Sequence, residues 1–316
     1  MLNKKNDTFV SRLAPSPSSK LHLGNALSFL LTWGITRKNG GILVFRMDDL
    51  DERCKNLDLK KEIIEELRWL EIDWDGGIIY QSYRDNMYKE YLNTLTDKGL
   101  TYPCFCTRAD LHAASAPHAS DGTPVYAGTC KKLSSSEVEE LRHKKNPVIR
   151  LALPNNLSIN FSDLICGEFS QDLNAECGDF VLRRSDNIFA YQLTNVVDDI
   201  ELGITHVIRG NDLLSSTPRQ IHLREIFDKN LPDLNFAHHP LLVDTTGRRL
   251  AKRESDKTID QMRAEGQTPA FIRGTVAHLL GLIDEYSELS QDEFLKVIDF
   301  KKLQLTPKNI IAPDNN

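Results

Sequence analysis

Residues 9–25 read Phe9-Val10-Ser11-Arg12-Leu13-Ala14-Pro15-Ser16-Pro17-Ser18-Ser19-Lys20-Leu21-His22-Leu23-Gly24-Asn25. Phe9 to Leu13 is a short alternating run of the kind strands use, and the Pro/Ser cluster after it breaks the run. Leu23 to Lys38 then places Leu27, Leu30, Leu31 and Ile35 at helical spacing. Gly40-Gly41 stops that helix, and Ile42-Leu43-Val44-Phe45 is a continuous apolar run, suited to a strand buried on both faces of a parallel sheet. Strand, loop, helix, strand opens an α/β fold, in which ligands bind beyond the carboxyl ends of the strands.

The alternation continues outward from there. Leu59 to Leu70 reads as a second helix, and Ser82 as the cap of a third that ends before Gly99. From Thr101 to Arg184 the pattern is interrupted by a cysteine cluster, a helix opened by the capping-box pair Ser134 and Glu137, and short strand-like runs. Two of those runs, Phe180-Val181-Leu182 and Phe189-Ala190-Tyr191, flank a turn at Ser185-Asp186-Asn187. Thr205-His206-Val207-Ile208 and a helix from Pro218 to Phe227 resume the α/β pattern. After Ser255 the chain reads as wholly helical, with Ser290 and Glu293 opening the last clear helix. The expected division is 1–100, the first half of an α/β domain; 101–185, an insert; 186–255, the second half; and 256–316, a helical C-terminal region.

The 316 residues are 40% hydrophobic and 27% charged, which is ample for a buried core. A net charge of −6 excludes a general nucleic-acid coat and leaves room for an RNA met through a specific local surface. No apolar run approaches the roughly 20 residues of a membrane helix, and Met1 to Asn6 lacks the apolar stretch of a secretory signal. A cytoplasmic protein without membrane contact is expected. Of six cysteines, Cys54, Cys166 and Cys177 read as small buried hydrophobes, whereas Cys104, Cys106 and Cys130 cluster. In a reducing compartment such a cluster points to metal before disulfide.

Two stretches offer phosphate chemistry, although each read alone is equally a surface turn or a solvated basic loop. The loop from Pro15 to Asn25 leads into a helix N-terminus, where backbone N–H groups and the helix dipole favour phosphate. His22 can donate to a phosphate oxygen there, and Gly24 lets a nucleotide approach the backbone. Gly247-Arg248-Arg249-Leu250-Ala251-Lys252-Arg253 follows an apolar strand (Pro240 to Val243), and its basic side chains can clamp a polyphosphate whose charge grows in a transition state.

Together, the His22-Leu23-Gly24-Asn25 and Arg249-Leu250-Ala251-Lys252-Arg253 motifs resemble the two signatures of class I aminoacyl-tRNA synthetases, usually written HIGH and KMSKS. Further stretches resemble the glutamate-specific branch: Arg12-Leu13-Ala14-Pro15-Ser16-Pro17, Arg46-Met47-Asp48-Asp49-Leu50-Asp51, Phe189-Ala190-Tyr191-Gln192-Leu193, Val197-Asp198-Asp199 and Ile208-Arg209-Gly210-Asn211-Asp212. The motifs run in family order from residue 9 to residue 255. Full glutamyl-tRNA synthetases carry a further anticodon-binding region after the basic loop, and residues 256–316 are too few for one. The chain thus resembles the short paralogues that activate L-glutamate with ATP and magnesium, without tRNA, and transfer it to queuosine at the wobble position of tRNA(Asp). The resemblance implies a Rossmann-like parallel sheet split by a zinc-bearing, tRNA-facing insert, and a monomer that meets the anticodon loop. Two alternatives stay open: a truncated glutamyl-tRNA synthetase charging tRNA(Glu), and a non-catalytic RNA-binding paralogue.

The same resemblance implies roles. Arg12, Arg209 and Tyr191 would bind glutamate, with Leu13, Ala14, Pro15 and Ser16 lining the loop and Asp48 holding the ammonium group. His22, Gly24, Asn25 and Lys252 would bind ATP, and His22 and Lys252 would stabilise the triphosphate as pyrophosphate leaves. Three positions depart from the family pattern: Asp48 stands where glutamate is usual, Asn25 replaces the second histidine of the first signature, and Ala251 replaces a serine of the second. The paralogues' zinc ligands correspond to Cys104, Cys106, Tyr126 and Cys130, implying one structural Zn2+ per chain. His112 or His118 could replace Tyr126 as the fourth ligand.

Overall fold

The structure is a computed structural model that describes residues 8–111, 125–228, 231, 234–243 and 257–311. In its first third, strand β1 (Val10–Leu13) leads to helix α1 (Leu23–Lys38), β2 (Ile42–Met47), α2 (Leu57–Trp69), β3 (Ile79–Tyr80) and α3 (Asp85–Asp97). Next come β4 (Thr101–Cys104), α4 (Arg108–Leu111), α5 (Ser135–Arg142), β5 (Val148–Leu151), β6 (Ser158–Asp163), β7 (Gly167–Asp172), α6 (Leu173–Glu176) and β8 (Val181–Arg183). The chain continues through α7 (Tyr191–Glu201), β9 (His206–Gly210), α8 (Thr217–Phe227), β10 (Asn235–His239) and β11 (Leu241–Val243). It ends with α9 (Ile259–Ala264), α10 (Pro269–Leu279), α11 (Gln291–Val297), α12 (Phe300–Leu305) and β12 (Asn309–Ile311).

β1, β2 and β3 pair in parallel, with Val10 opposite Ile42 and Arg46 opposite Ile79. A second set runs β9, β10, β6, β7, parallel except for the β6–β7 hairpin. The two sets meet where β9 lies alongside β1, and Thr205 N donates to Val10 O at 2.9 Å. Strand order reverses at this junction, so a crevice opens beyond the carboxyl ends of β1 and β9, the usual place for a ligand in such sheets.

Helix α1 is apolar nearly all round because it is covered on every side. Ala26, Leu27, Leu30, Leu31 and Ile35 are all at most 1% exposed. Its neighbours are β1 and β2 on one side and α10 and α11 on the other. Contact with the end of α11 is so close that a Cβ on Gly34 would lie 2.4 Å from Ile298 Cδ1 and 3.0 Å from Phe294 Cε1, so a larger residue would require these side chains to shift. The C-terminal helices therefore complete the main core. A second core joins α3, α7 and α8 to β5 and β8.

Several elements differ from the sequence expectation. α3 starts at Asp85, and Ser82 instead binds Asp49 through its N–H (2.9 Å) and hydroxyl (2.8 Å). Tyr191 opens α7 rather than continuing a strand: the antiparallel pairing after the turn stops at Phe189, opposite Arg183. The C-terminal region also contains β12, whose Ile310 and Ile311 pair in parallel with Leu242 and Val243. Within 101–185, β4, β5 and β8 form their own antiparallel sheet, whereas β6 joins β10 at the Asp163–Phe236 position. Among the described residues no helix is long and apolar enough to cross a membrane.

Candidate active site and metal centre

β1 delivers Arg12 to the crevice, and the loop after it is sewn to the loop after β2. Asp48 N donates to Pro15 O (2.9 Å), and Ser16 Oγ donates to Asp48 O (3.2 Å). Leu13 and Pro15 are buried, Leu13 within the apolar core, while Ala14 is half-buried and Ser16 exposed. Of the expected loop residues, Ala14 and Ser16 thus keep side-chain surface open to solvent.

Beneath the loop lies a charged network. Arg46, fully buried, forks onto Asp48 through Nε (2.6 Å) and Nη2 (3.0 Å). It also donates to Asp199 Oδ1 (3.1 Å) and Asn195 Oδ1 (2.9 Å). Arg12 Nε donates to the same Asp199 oxygen at 3.3 Å. Asp198, the next carboxylate on α7, accepts from Arg84, Gln81 and Tyr88 at 2.7–3.0 Å. Burial acts against the Arg46 cation, but Asp48, Asp198 and Asp199 outweigh it and hold its pKa well above the ordinary arginine value. Burial raises the Asp48 pKa above the usual carboxylate range, with Arg46 pulling it back.

Arg209 is different. It too is buried, at 5% exposure, but its contacts are neutral: His238 Nε2 (3.0 Å), the Tyr191 hydroxyl (3.1 Å), Thr217 Oγ1 (2.8 Å) and Leu213 O (3.5 Å). Among the described residues no carboxylate pairs with it, and burial lowers its pKa. A buried cation held only by neutral groups is costly unless an anion completes it. Tyr191, 37% exposed, sits at the open side of this cation.

His22 caps α1. Its Nδ1 accepts from Gly24 N (3.2 Å), so the neutral ring carries its proton on Nε2. Asn25 Oδ1 in turn accepts from His22 N (3.1 Å), closing a capping box. Asn25, read from sequence as an ATP contact, therefore also holds the helix start. Lys252 and the rest of the basic loop lie outside the described residues, as do His112 and His118. The chain just after the basic loop returns to the first signature: Ile259 N donates to Leu21 O (2.9 Å) and Thr258 bridges to His22.

In the segment after α3, the sulfurs of Cys104, Cys106 and Cys130 lie within 4.8 Å of one another. Cys106 and Cys130 are 3.6 Å apart, close to the roughly 3.8 Å between thiolates of a tetrahedral zinc site. The Tyr126 hydroxyl is 3.4 Å from Cys104 Sγ and 4.0 Å from Cys106 Sγ, and it accepts from Cys130 N at 2.8 Å. Arg150 stacks on the Tyr126 ring, 3.8 Å from its centre. Burial and the neighbouring Cys130 and Cys104 push the Cys106 thiol up to about 12, because three crowded sulfurs ionise together only around a cation. The triad could bind a metal.

Sequence reading missed Arg46 as the centre of a network, and it gave Asn195, Asp163 and His238 no role. Asp198 and Asp199 were visible only as part of a motif.

A Rossmann-like sheet with its crevice at the β1/β9 reversal, a histidine capping a helix start and buried guanidinium groups together define a class I synthetase catalytic domain. The chain belongs to the family described as tRNA synthetases class I (E and Q), catalytic domain, which matches residues 8–310, and it is a ligase of the aminoacyl-tRNA synthetase type. More particularly, it is 42% identical to the glutamyl-Q tRNA(Asp) synthetase of Symbiobacterium thermophilum, over 95% of each chain. It is 41% identical to that of Nitratidesulfovibrio vulgaris, over 87% of each. Glutamate--tRNA ligase 2 of Thermoanaerobacter pseudethanolicus is 38% identical over 88% of this chain and 57% of its own. Among solved structures, the glutamate-tRNA synthetase of Elizabethkingia anophelis superposes with a TM-score of 0.80 at 26% identity, covering 97% of this chain and 68% of that one. The resemblance read from the motifs is borne out.

Proposed function

We propose that the protein joins L-glutamate to ATP as glutamyl-adenylate without tRNA, and then transfers the glutamyl group to queuosine at the wobble position of tRNA(Asp). In the first step a glutamate α-carboxylate oxygen attacks the α-phosphorus and the bond to pyrophosphate breaks. In the second a hydroxyl of the queuosine cyclopentene ring attacks the acyl carbon and AMP leaves. The observation that carries the reading is Arg209, a buried guanidinium contacted, among the described residues, only by neutral groups and placed beside a phenol. A substrate carboxylate supplies the missing charge, since the guanidinium fork matches it bidentately. Arg12 and Asp48 line the same crevice, and His22 caps the start of α1, where backbone N–H groups and the helix dipole favour phosphate. Lys252 would act on the triphosphate from the basic loop.

The likeness to relatives named glutamyl-Q tRNA(Asp) synthetase supports queuosine-bearing tRNA(Asp) as the acceptor. Its anticodon loop can present the base unstacked, as sequence-specific RNA recognition requires. Cys104, Cys106, Cys130 and Tyr126 would hold one Zn2+, which supplies a closed structural crosslink to the insert.

Pyrophosphate exchange into ATP should depend on glutamate and proceed without tRNA. Labelled glutamate should then appear on queuosine-containing tRNA(Asp) and not on the queuosine-free transcript. Transfer to tRNA(Glu) instead would replace this reading with a charging enzyme, and no exchange at all would leave an RNA-binding paralogue.

A further inference from the structure

Arg209 on β9 lies in register opposite His238 on β10. Its Nε donates to His238 Nε2 at 3.0 Å. A guanidinium Nε always carries its hydrogen, so His238 Nε2 must be bare and the ring's proton must sit on Nδ1. Nδ1 faces Asp163 Oδ2 at 2.5 Å, and both side chains are completely buried. Asp163 is itself immobilised, because its Oδ1 accepts the N–H groups of Ile165 (2.9 Å), Cys166 (2.8 Å) and His238 (3.1 Å).

We propose that Asp163 and His238 are positioning residues for glutamate recognition: the carboxylate fixes the Nδ1–H tautomer, and the bare Nε2 fixes the Arg209 fork and, through it, the Tyr191 hydroxyl. This rests on the reading of Arg209 as the partner of a substrate carboxylate. The arrangement answers a specific problem. A carboxylate placed directly on Arg209 would orient it but would also neutralise it and compete with the substrate. An imidazole between them transmits the orientation and leaves the guanidinium without an anion at contact distance. Thr217 Oγ1, 3.1 Å from the same His238 nitrogen and 2.8 Å from Arg209 Nη2, closes the triangle. Burial keeps the His238 ring neutral by lowering its pKa, in keeping with a fixed tautomer beside a cation. The three residues come from β6, β9 and β10, so neighbouring strands build one rigid support.

Asp163→Asn tests the idea with almost no change of shape. If its oxygen keeps the three backbone N–H partners, its amide nitrogen faces His238 Nδ1 and drives the ring to the Nε2–H tautomer, which points a proton at Arg209 Nε–H. The KM for glutamate in pyrophosphate exchange should rise about tenfold or more, with the KM for ATP within about twofold of wild type. His238→Gln, which can offer an oxygen near the Nε2 position, should recover most of the affinity that His238→Leu loses. An unchanged glutamate KM in Asp163→Asn overturns the proposal, as does an equal rise for both substrates. Nitrogen-15 NMR of the wild-type imidazole is a readout independent of activity: an unprotonated Nε2 is expected, and an Nε2–H tautomer overturns the proposal. Absence of glutamate-dependent exchange in the wild type would overturn the substrate reading instead, with the tautomer still judged by NMR.

Discussion

Asp48 stands one methylene short of the glutamate usual in the family, and both its oxygens are engaged by Arg46. Arg46 is itself held by Asp199 and Asn195, so the shorter acid lies at the end of a fixed chain of charges. In Asp48→Asn the fork keeps one oxygen and meets an amide N–H in place of the other. Hydrogen bonds to charged groups contribute about 1.5–3 kcal/mol, so a melting temperature lower by several degrees is expected, together with a raised glutamate KM. Thermal unfolding and exchange kinetics on one preparation check both, and an unchanged glutamate KM would remove Asp48 from the substrate pocket. Asp48→Glu, which restores the family's residue, should keep the fork and stay within about tenfold of wild-type activity. Arg46 and Arg209 show how two buried arginines of equal charge divide: the first is saturated with carboxylates, the second has none at contact distance among the described residues. That division is invisible in sequence, where both are simply arginines near the ends of apolar runs.

The start of α1 shows what local patterns do reveal. Its bounds, Leu23–Lys38, match the spacing of its leucines, and the capping boxes at Ser134/Glu137 and Ser290/Glu293 form as their spacing predicts. The box at His22/Asn25 went unread because neither residue belongs to the usual Ser/Thr and Glu/Gln pair. Asn25→Ala should cost about 1 kcal/mol of stability, within the range for lost caps, and should lower kcat by loosening His22. Asn25→Asp, which keeps the acceptor, should be milder in urea melts and in exchange. Features made by long-range contact were not legible: Asp163 and His238 meet across 75 residues, and Tyr191 turns helical only because pairing stops at Phe189. The cysteine insert depends on such a contact too. Gly178 has φ +68°, and a Cβ there would lie 2.5 Å from Tyr126 O. Gly178→Ala should therefore displace Tyr126 and lower the zinc content measured by atomic absorption. Full metal occupancy in that variant would separate Tyr126 from the metal site.

Closure of the C-terminal helices over the sheet creates an electrostatic consequence for overall stability. Where α9 meets α2, a cavity of about 240 Å³ is lined by Glu62, Glu65, Glu66, Trp69, Ile259, Asp260 and Arg263. Glu66 is 7% exposed, and burial, reinforced by Asp260 and Glu62, lifts its pKa from 4.5 to about 7; a Leu21 backbone hydrogen bond and Lys20 act the other way. Between pH 4.5 and 7 the folded protein thus holds a proton that the unfolded chain has released. Stability contributed by this group is fully present below the unfolded value and falls as pH rises through the folded one, becoming flat above it. Glu66→Gln removes the titration while keeping the shape. Relative to wild type, its melting temperature should gain several degrees between pH 5 and pH 8, and the gain should appear mostly between pH 5 and pH 7. A difference between the two proteins that stays constant across that interval would mean that Glu66 ionises normally in the folded state. Because Leu21 and His22 sit on the same seam as Thr258 and Ile259, the variant should also be assayed for exchange. Activity preserved alongside the stability gain would show that the charge of Glu66 does not enter the chemistry.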